Sequence, residues 1–169
     1  RMSIIEDALS DAWSGLGGGK VGGLRISNWC HHMLSSVEDR YDLVVFDVGP
    51  SLGALNRTVI LSSDYIVTPF GSDIFSLLGI RNISAWIANW QKQYGKAIHS
   101  VEAESPHALT DFDIITDTSK RFRFAGYSVQ QYVTRSFASG PRAVASYDEI
   151  IQRIPETVEE SIASLRPDE

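Results

Sequence analysis

The sequence predicts an α/β protein with a mainly parallel sheet flanked by helices. Short, continuously apolar runs at Leu43–Phe46 and Tyr65–Val67 have the pattern of strands covered on both faces. Between and after them, apolar residues recur at helical spacing. The joining loops are short, which favours parallel βα units with right-handed crossovers. Strands are expected at about 42–47, 65–69 and 122–132, with residues 47–53 at the carboxyl edge of their common sheet.

The elements follow in order. Ser3-Ile4-Ile5-Glu6 reads as a capping box, and Ile5, Ala8, Leu9 and Ala12 continue a helix. A helix so near the first residue suggests that the sequence starts partway through a longer one. Gly15–Gly23, "GLGGGKVGG", reads as a flexible linker. It is not G-x-x-x-x-G-K-[ST], because Val21 follows Lys20 and a helix, not a strand, precedes it. Ile26, Trp29, Cys30, Met33, Leu34 and Val37 mark one face of a second helix. His31 and His32 are adjacent, so a helix cannot aim both at one metal.

After the first strand, Leu55–Leu61 is a short helix. Pro69 ends the second strand. Asp73 caps a long helix through Leu77, Ile80, Ile87 and Trp90, which Gly95 closes. Residues 98–119 hold Glu102, Glu104, Asp111, Asp113 and Asp117 without Lys or Arg, and read as an acidic surface excursion. They lack the D-x-[DN]-x-[DN]-G pattern of a calcium loop. Phe122–Val133 is the third strand. Two helices follow, near 143–153 and 156–166, divided by Pro155.

Composition narrows the class. The 169 residues suffice for one domain with a core, and 43% hydrophobic with 21% charged residues is ordinary for a globular protein. No apolar run approaches the roughly 20 residues of a membrane helix. The single cysteine, Cys30, excludes an internal disulfide and suits a reducing cytoplasm. A net charge of -6 argues against general adhesion to nucleic acid.

"FDVGPSLG", Phe46–Gly53, carries the chemistry, and it has two readings. Gly49-Pro50-Ser51-Leu52-Gly53 matches the G-x-S-x-G elbow of a serine hydrolase. That elbow needs a later acid and then a histidine beyond further strands. Only His99 and His107 follow Ser51, both close to the acidic excursion. The second reading is an apolar strand ending in Asp47, the magnesium-side strand of a phosphate-binding ATPase.

The second reading accounts for more residues. Tyr41-Asp42, Asp47, Gly49-Pro50-Ser51-Leu52-Gly53, Asn56, Ser63-Asp64, Pro69 and Phe75-Ser76-Leu77-Leu78-Gly79 resemble, in kind and spacing, the ParA/MinD-type ATPases of the P-loop class. The family often has Pro where Gly49 stands. The opening "RMSIIEDALSDAW" resembles an internal segment of some members. "AGYSVQQY" resembles the strand whose end faces adenine, with Gln130 where Asn or Thr is usual.

The resemblance implies a partial P-loop NTPase fold over residues 1–169, with ATP and Mg²⁺ as cofactors of the intact protein. It implies that Asp47 holds the magnesium, usually through water, and that Ser51 senses the γ-phosphate. Gly49 and Gly53 would admit close phosphate approach, with Pro50, Asn56 and Gln130 completing the nucleotide contacts. Asp47 can instead simply cap the following turn. The family's P-loop lysine is absent, so this chain alone is expected neither to hold nor to hydrolyse ATP. It is either the C-terminal portion of a longer ATPase or a relative without a P-loop, acting as an interaction module.

The family's activity is ATP-switched dimerisation that positions plasmids, chromosomes or other cargo, with a partner stimulating hydrolysis. Lys120, Arg121, Arg123, Arg135, Arg142 and Arg153 are candidates for a DNA phosphate surface. Scattered solubilising charges are the plainer reading of the same residues. Residues 156–169 hold five acids and one arginine, unlike the basic membrane helix of MinD-type proteins.

Overall fold

The computed structural model describes residues 2–49, 51–118, 121–130, 134–137, 140–143 and 145–162, with side chains from residue 4 and outside 134–147. The chain divides into two compact units. The first holds residues 1–64 and 89–122, the second 65–88 and 123–169.

The first unit is helical. It contains α1 (Met2–Gly15), a 3-10 turn at Leu16–Gly18, α2 (Val21–Ser27), α3 (Trp29–Ser35), α4 (Ala54–Ser62), the later half of α5 (Ile74–Glu104) and α6 (Pro106–Asp111). Leu9, Trp13, Leu16, Leu24, Cys30, Leu61, Tyr94 and Val101 form its core. The glycine-rich stretch is not a linker. Gly19 is a left-handed turn residue with φ 64°, and both Gly19 and Gly23 are buried. A Cβ on Gly23 would stand 2.9 Å from the Ala12 carbonyl, so the missing side chain lets α2 pack directly on α1.

The expected single helix over Ile26–Val37 is broken at Asn28, which has φ -94° and ψ 7°. Its fully buried side chain explains the break. Nδ2 donates to the Leu24 carbonyl at 2.8 Å and to the Tyr94 hydroxyl at 2.7 Å, while Oδ1 accepts from the Ile115 N–H at 3.1 Å. Satisfying those groups outweighs one continuous helix.

α5 does not stop at Gly95. Trp90, Tyr94, Ala97 and Val101 recur at helical spacing and are buried, so packing carries the helix across the glycine. A glycine in a helix interior costs only about 1 kcal/mol. In the 98–119 segment the five carboxylate residues are exposed, as expected. The segment is nevertheless helical to Glu104 and again in α6, and it buries Leu109, Ile114 and Ile115.

The second unit holds the sheet. β1 (Tyr65–Gly71) pairs in parallel with β2 (Arg123–Gln130), from Tyr65↔Arg123 to Gly71↔Gln130. Parallel pairing of these two strands follows the expectation, although β1 does not end at Pro69 but runs through it to Gly71 and β2 starts at Arg123, while the expected residues 131–133 lie outside the described ones. β3 (Thr134–Phe137) and β4 (Gly140–Ala143) form a separate antiparallel hairpin. α7 (Ala145–Ile162) runs unbroken through Pro155, where two helices were expected. Ile154, Val158 and Ile162 are buried at four-residue intervals, so one apolar face spans the proline. The remainder of the second expected helix, 163–166, lies outside the described residues.

The strand expected at 42–47 does not form. Residues 41–49 have no regular structure, and Leu43 and Val45 are 78% and 79% exposed. A strand exists only where neighbours take up its N–H and C=O groups. Among the described residues, β1 and β2 pair with each other and 41–49 with neither.

Two outcomes test this packing. Asn28→Leu leaves the Tyr94 hydroxyl and Ile115 N–H without partners, and should destabilise by about 2–4 kcal/mol in urea titration. The second concerns pH. Burial raises the Tyr94 phenol against the lowering effect of its Asn28 hydrogen bond, and raises the Cys30 thiol against that of Ser62. The folded state therefore keeps protons that the unfolded chain releases near the ordinary values of 9.0 for Cys30 and 10.0 for Tyr94. Their contribution to stability is full below about pH 9 and declines as the pH rises through the raised folded values. Denaturation midpoints against pH should show this fall, with its lower-pH part reduced in Cys30→Ala.

Candidate functional site

Asp47, Gly49, Ser51, Gly53 and Asn56 all belong to the first unit, at the approach to α4. Pro50 lies outside the described residues. α4 begins at Ala54 because Gly53, at φ -59° and ψ 167°, turns the chain into it. Gly53 has no side chain to cap the helix.

Asn56 organises the turn. It is buried, and its Nδ2 donates to the carbonyls of Gly49 at 2.8 Å and Ser51 at 2.6 Å, with the Ser51 hydroxyl at 3.3 Å. Arg57 Nε donates to the Leu52 carbonyl at 3.1 Å, and its guanidinium lies over the rings of Trp13 and Trp90. The backbone N–H of Leu55 donates to Glu6 Oε2 of α1 at 3.2 Å. Three carbonyls of the turn and one N–H of the helix start are thus engaged.

The pinned turn leaves two reactive groups outward. Asp47 and Ser51 are both exposed. Among the described residues the Asp47 carboxylate makes no hydrogen bond or ion pair, so it does not serve as a cap for the turn. A free carboxylate can take a hydrated divalent cation, and an exposed hydroxyl can meet a phosphate oxygen.

The glycines differ. A Cβ on Gly53 would collide with Glu6 Oε1, whereas nothing lies within 4 Å of one on Gly49. Gln130 ends β2 opposite Gly71, exposed, at the carboxyl ends of both parallel strands but in the second unit.

The elbow reading finds no catalytic base. Ser51 bonds only to Asn56 among the described residues. His31 Nε2 lies 3.3 Å from an Asp113 carboxylate oxygen, and His32 meets the Phe112 and Asp113 carbonyls. No strand precedes the serine to make a strand-to-helix elbow.

The basic candidates fall in both units. Arg121 Nη1 pairs with Asp64 at 2.6 Å in the first unit. Arg123 donates to the Tyr65 hydroxyl at 2.8 Å and covers its ring in the second. Arg153 is exposed on α7, and Arg135 and Arg142 stand opposite each other in the β3–β4 register. Lys120 lies outside the described residues.

Sequence reading missed Glu6 and Arg57. Arg57 carried a weak signal, one helical turn beyond the glycine-rich turn. Glu6 reads in the sequence as the closing acid of a capping box, but Ser3 lies inside α1 and the Glu6 carboxylate instead accepts the Leu55 N–H, a pairing 49 residues apart for which the sequence carried no signal.

The chain is similar to several known proteins. Residues 24–100 match the family described as an AAA domain. The chain is 41% identical over 56 residues to the virulence plasmid ParA family protein pGP5-D of Chlamydia psittaci, covering 33% of this chain and 22% of that protein. It is 28% identical over 84 residues to protein IncC of Escherichia coli, covering 46% and 24%. With the cell division protein PomZ of Myxococcus xanthus the identity is 26% over 102 residues, covering 60% and 28%. Among solved structures, protein DIP2308 from Corynebacterium diphtheriae matches with a TM-score of 0.72 and 30% identity, over 98% of this chain and 53% of that one.

The chain is related to the ParA/MinD-type P-loop ATPases, as the Asp47–Gly79 motif implied. It spans about half the length of the solved relative and about a quarter of the length of these curated ones.

A serine-directed fluorophosphonate should leave Ser51 unlabelled in intact-mass analysis, since nothing described activates its hydroxyl. Stoichiometric labelling at Ser51 would restore the hydrolase reading.

Proposed function

We propose that this chain is the P-loop-less portion of a ParA-like ATPase that positions plasmid, chromosomal or other cargo through ATP-dependent dimerisation. The observation carrying this reading is the turn after Asp47, pinned through Asn56 and Arg57, within the stretch matching the family. In this reading residues 1–169 are a single, incomplete ParA-like domain.

The residues present fit part of a nucleotide site. Asp47 is an unengaged carboxylate suited to hydrated Mg²⁺, which would neutralise charge on the β- and γ-phosphates. Ser51 is held where a hydroxyl can meet a phosphate oxygen. Gly53 keeps the helix start free of a Cβ. Asn56 contributes by shaping the turn, because its Nδ2 is already committed to the backbone.

A triphosphate also needs a cradle of backbone N–H groups and a lysine, and the described residues hold none. The exposed Leu43–Val48 run supports the same reading. It suits a strand that is completed by a segment of the longer protein beyond this chain. A cytoplasmic homodimer, a hydrolysis-stimulating partner and DNA contact through the basic residues belong to this proposal. No helix among the described residues is long and apolar enough to cross a membrane.

The test compares this chain with an N-terminally extended protein by calorimetry and phosphate release. The extended protein should bind Mg-ATP, while the 169-residue chain should not at micromolar concentrations. In the extended protein, Asp47→Ala should lower turnover by roughly a hundredfold and leave nucleotide affinity within several-fold, since the aspartate serves the metal. Micromolar binding by the short chain, or unchanged turnover in Asp47→Ala, contradicts the assignment. An extended protein without nucleotide binding favours an interaction module on the same fold.

A further inference from the structure

The start of α4 is completed from elsewhere in the chain. A helix leaves its first N–H groups without intrahelical partners, and an N-cap side chain ordinarily satisfies one. Gly53 cannot. Glu6 of α1 takes that place, accepting the Leu55 N–H at 3.2 Å. A carboxylate suits a helix N-terminus because the backbone dipoles leave that end partly positive.

The geometry is built for this contact. Glu6 is half-buried, and one of its oxygens occupies the space a Gly53 side chain would fill. α1 is itself fixed on α4: Trp13, 2% exposed, donates its indole N–H to Thr58 Oγ1 at 3.0 Å. The Thr58 hydroxyl in turn donates to the Ala54 carbonyl at 2.8 Å. Two points on α1, nearly two helical turns apart, thus grip the first turn and the middle of α4.

We propose that Glu6 is a positioning residue for the Asp47–Gly53 turn. α1 supplies the cap that α4 lacks, so the placement of α1 sets where the Ser51 hydroxyl stands relative to Asp47. Asn56 holds the turn to α4, and Glu6 holds the start of α4 to α1. A shift of α1 along its axis would withdraw the carboxylate, release Leu55 and let the turn move. The catalytic consequence rests on the ATPase reading above, whereas the latch itself does not.

The experiment uses the full-length protein. Amide exchange at Leu55 should quicken at least tenfold in Glu6→Ala and return towards the wild-type rate in Glu6→Gln, which keeps an acceptor oxygen. Gly53→Ala should also quicken it, because φ -59° and ψ 167° suit alanine and the added methyl acts only by displacing the carboxylate. In Mg-ATP turnover, Glu6→Ala should lower kcat about tenfold with KM within twofold, and Glu6→Gln should recover most of it. A purely structural role would lower the melting temperature without that kcat-against-KM split. Unchanged Leu55 exchange in both Glu6→Ala and Gly53→Ala overturns the latch. Quickened exchange with wild-type kcat overturns its positioning role. A wild-type protein without turnover overturns the ATPase reading alone, and Leu55 exchange still decides the latch.

Discussion

Asn28 spends its whole side-chain amide inside the core, and the first unit is arranged around that fact. Its donors reach the Leu24 carbonyl and the Tyr94 hydroxyl, and its acceptor takes the Ile115 N–H. One residue therefore ties α2 to α5 and to the segment after α6. An unpaired amide at this depth costs on the order of 1–3 kcal/mol for each lost partner. That cost disfavours any arrangement of these elements that leaves one of the three groups unpaired. Tyr94 also stands against Trp13, with ring centroids 6.4 Å apart. Trp13 in turn bonds to Thr58 of α4 and accepts Gln93 Nε2 on its carbonyl. The path from the buried amide to the helix bearing the candidate turn is thus a chain of directional contacts.

That rigidity gives the turn its meaning. A glycine-rich loop left alone would sample many conformations, because glycine loses the most backbone freedom on ordering. Here Asn56, Arg57 and Glu6 offset that loss with hydrogen bonds to the loop or the helix start that follows it. The hydrogen-bonding capacity turned inward is used, while the exposed Asp47 carboxylate is unengaged among the described residues and the exposed Ser51 hydroxyl meets only Asn56 Nδ2 at 3.3 Å. Preorganised polar groups facing solvent are what a phosphate or metal site requires, since little reorganisation remains when the ligand arrives.

Much of this was legible in the sequence. The parallel pairing of β1 and β2, the short α4 and the cap at Asp73 followed from apolar runs and capping chemistry. Asp73 does accept the Ser76 N–H at 3.0 Å. The Asp47–Gly79 spacing pointed to the right family. Errors arose where packing overrode local propensity: Gly95 did not stop α5, Pro155 did not divide α7, and Gly19 and Gly23 were buried packing positions. Asn28 and Glu6 were invisible for a different reason. Their partners lie 66 and 49 residues away, and no local pattern encodes such pairs.

The 41–49 segment shows why a strand is not a local property. Its letters are those of a buried strand, yet among the described residues no strand pairs with its backbone. Burying an exposed Leu or Val side chain stabilises by about 1.5–3 kcal/mol, so Leu43 and Val45 favour being covered. Ordering a residue's backbone costs roughly 1–2 kcal/mol, and a strand without a ladder recovers none of it. The balance therefore turns on a partner strand. One end of the segment is already set, because Asn56 grips the Gly49 carbonyl. A neighbouring strand would have to fix only the residues before it. Pairing register there decides which face each apolar residue takes, and a one-residue slip would turn Leu43 and Val45 to the opposite side. The Asn56 contact thus does two things at once: it shapes the candidate site, and it fixes one end of the segment from which such a strand could be built.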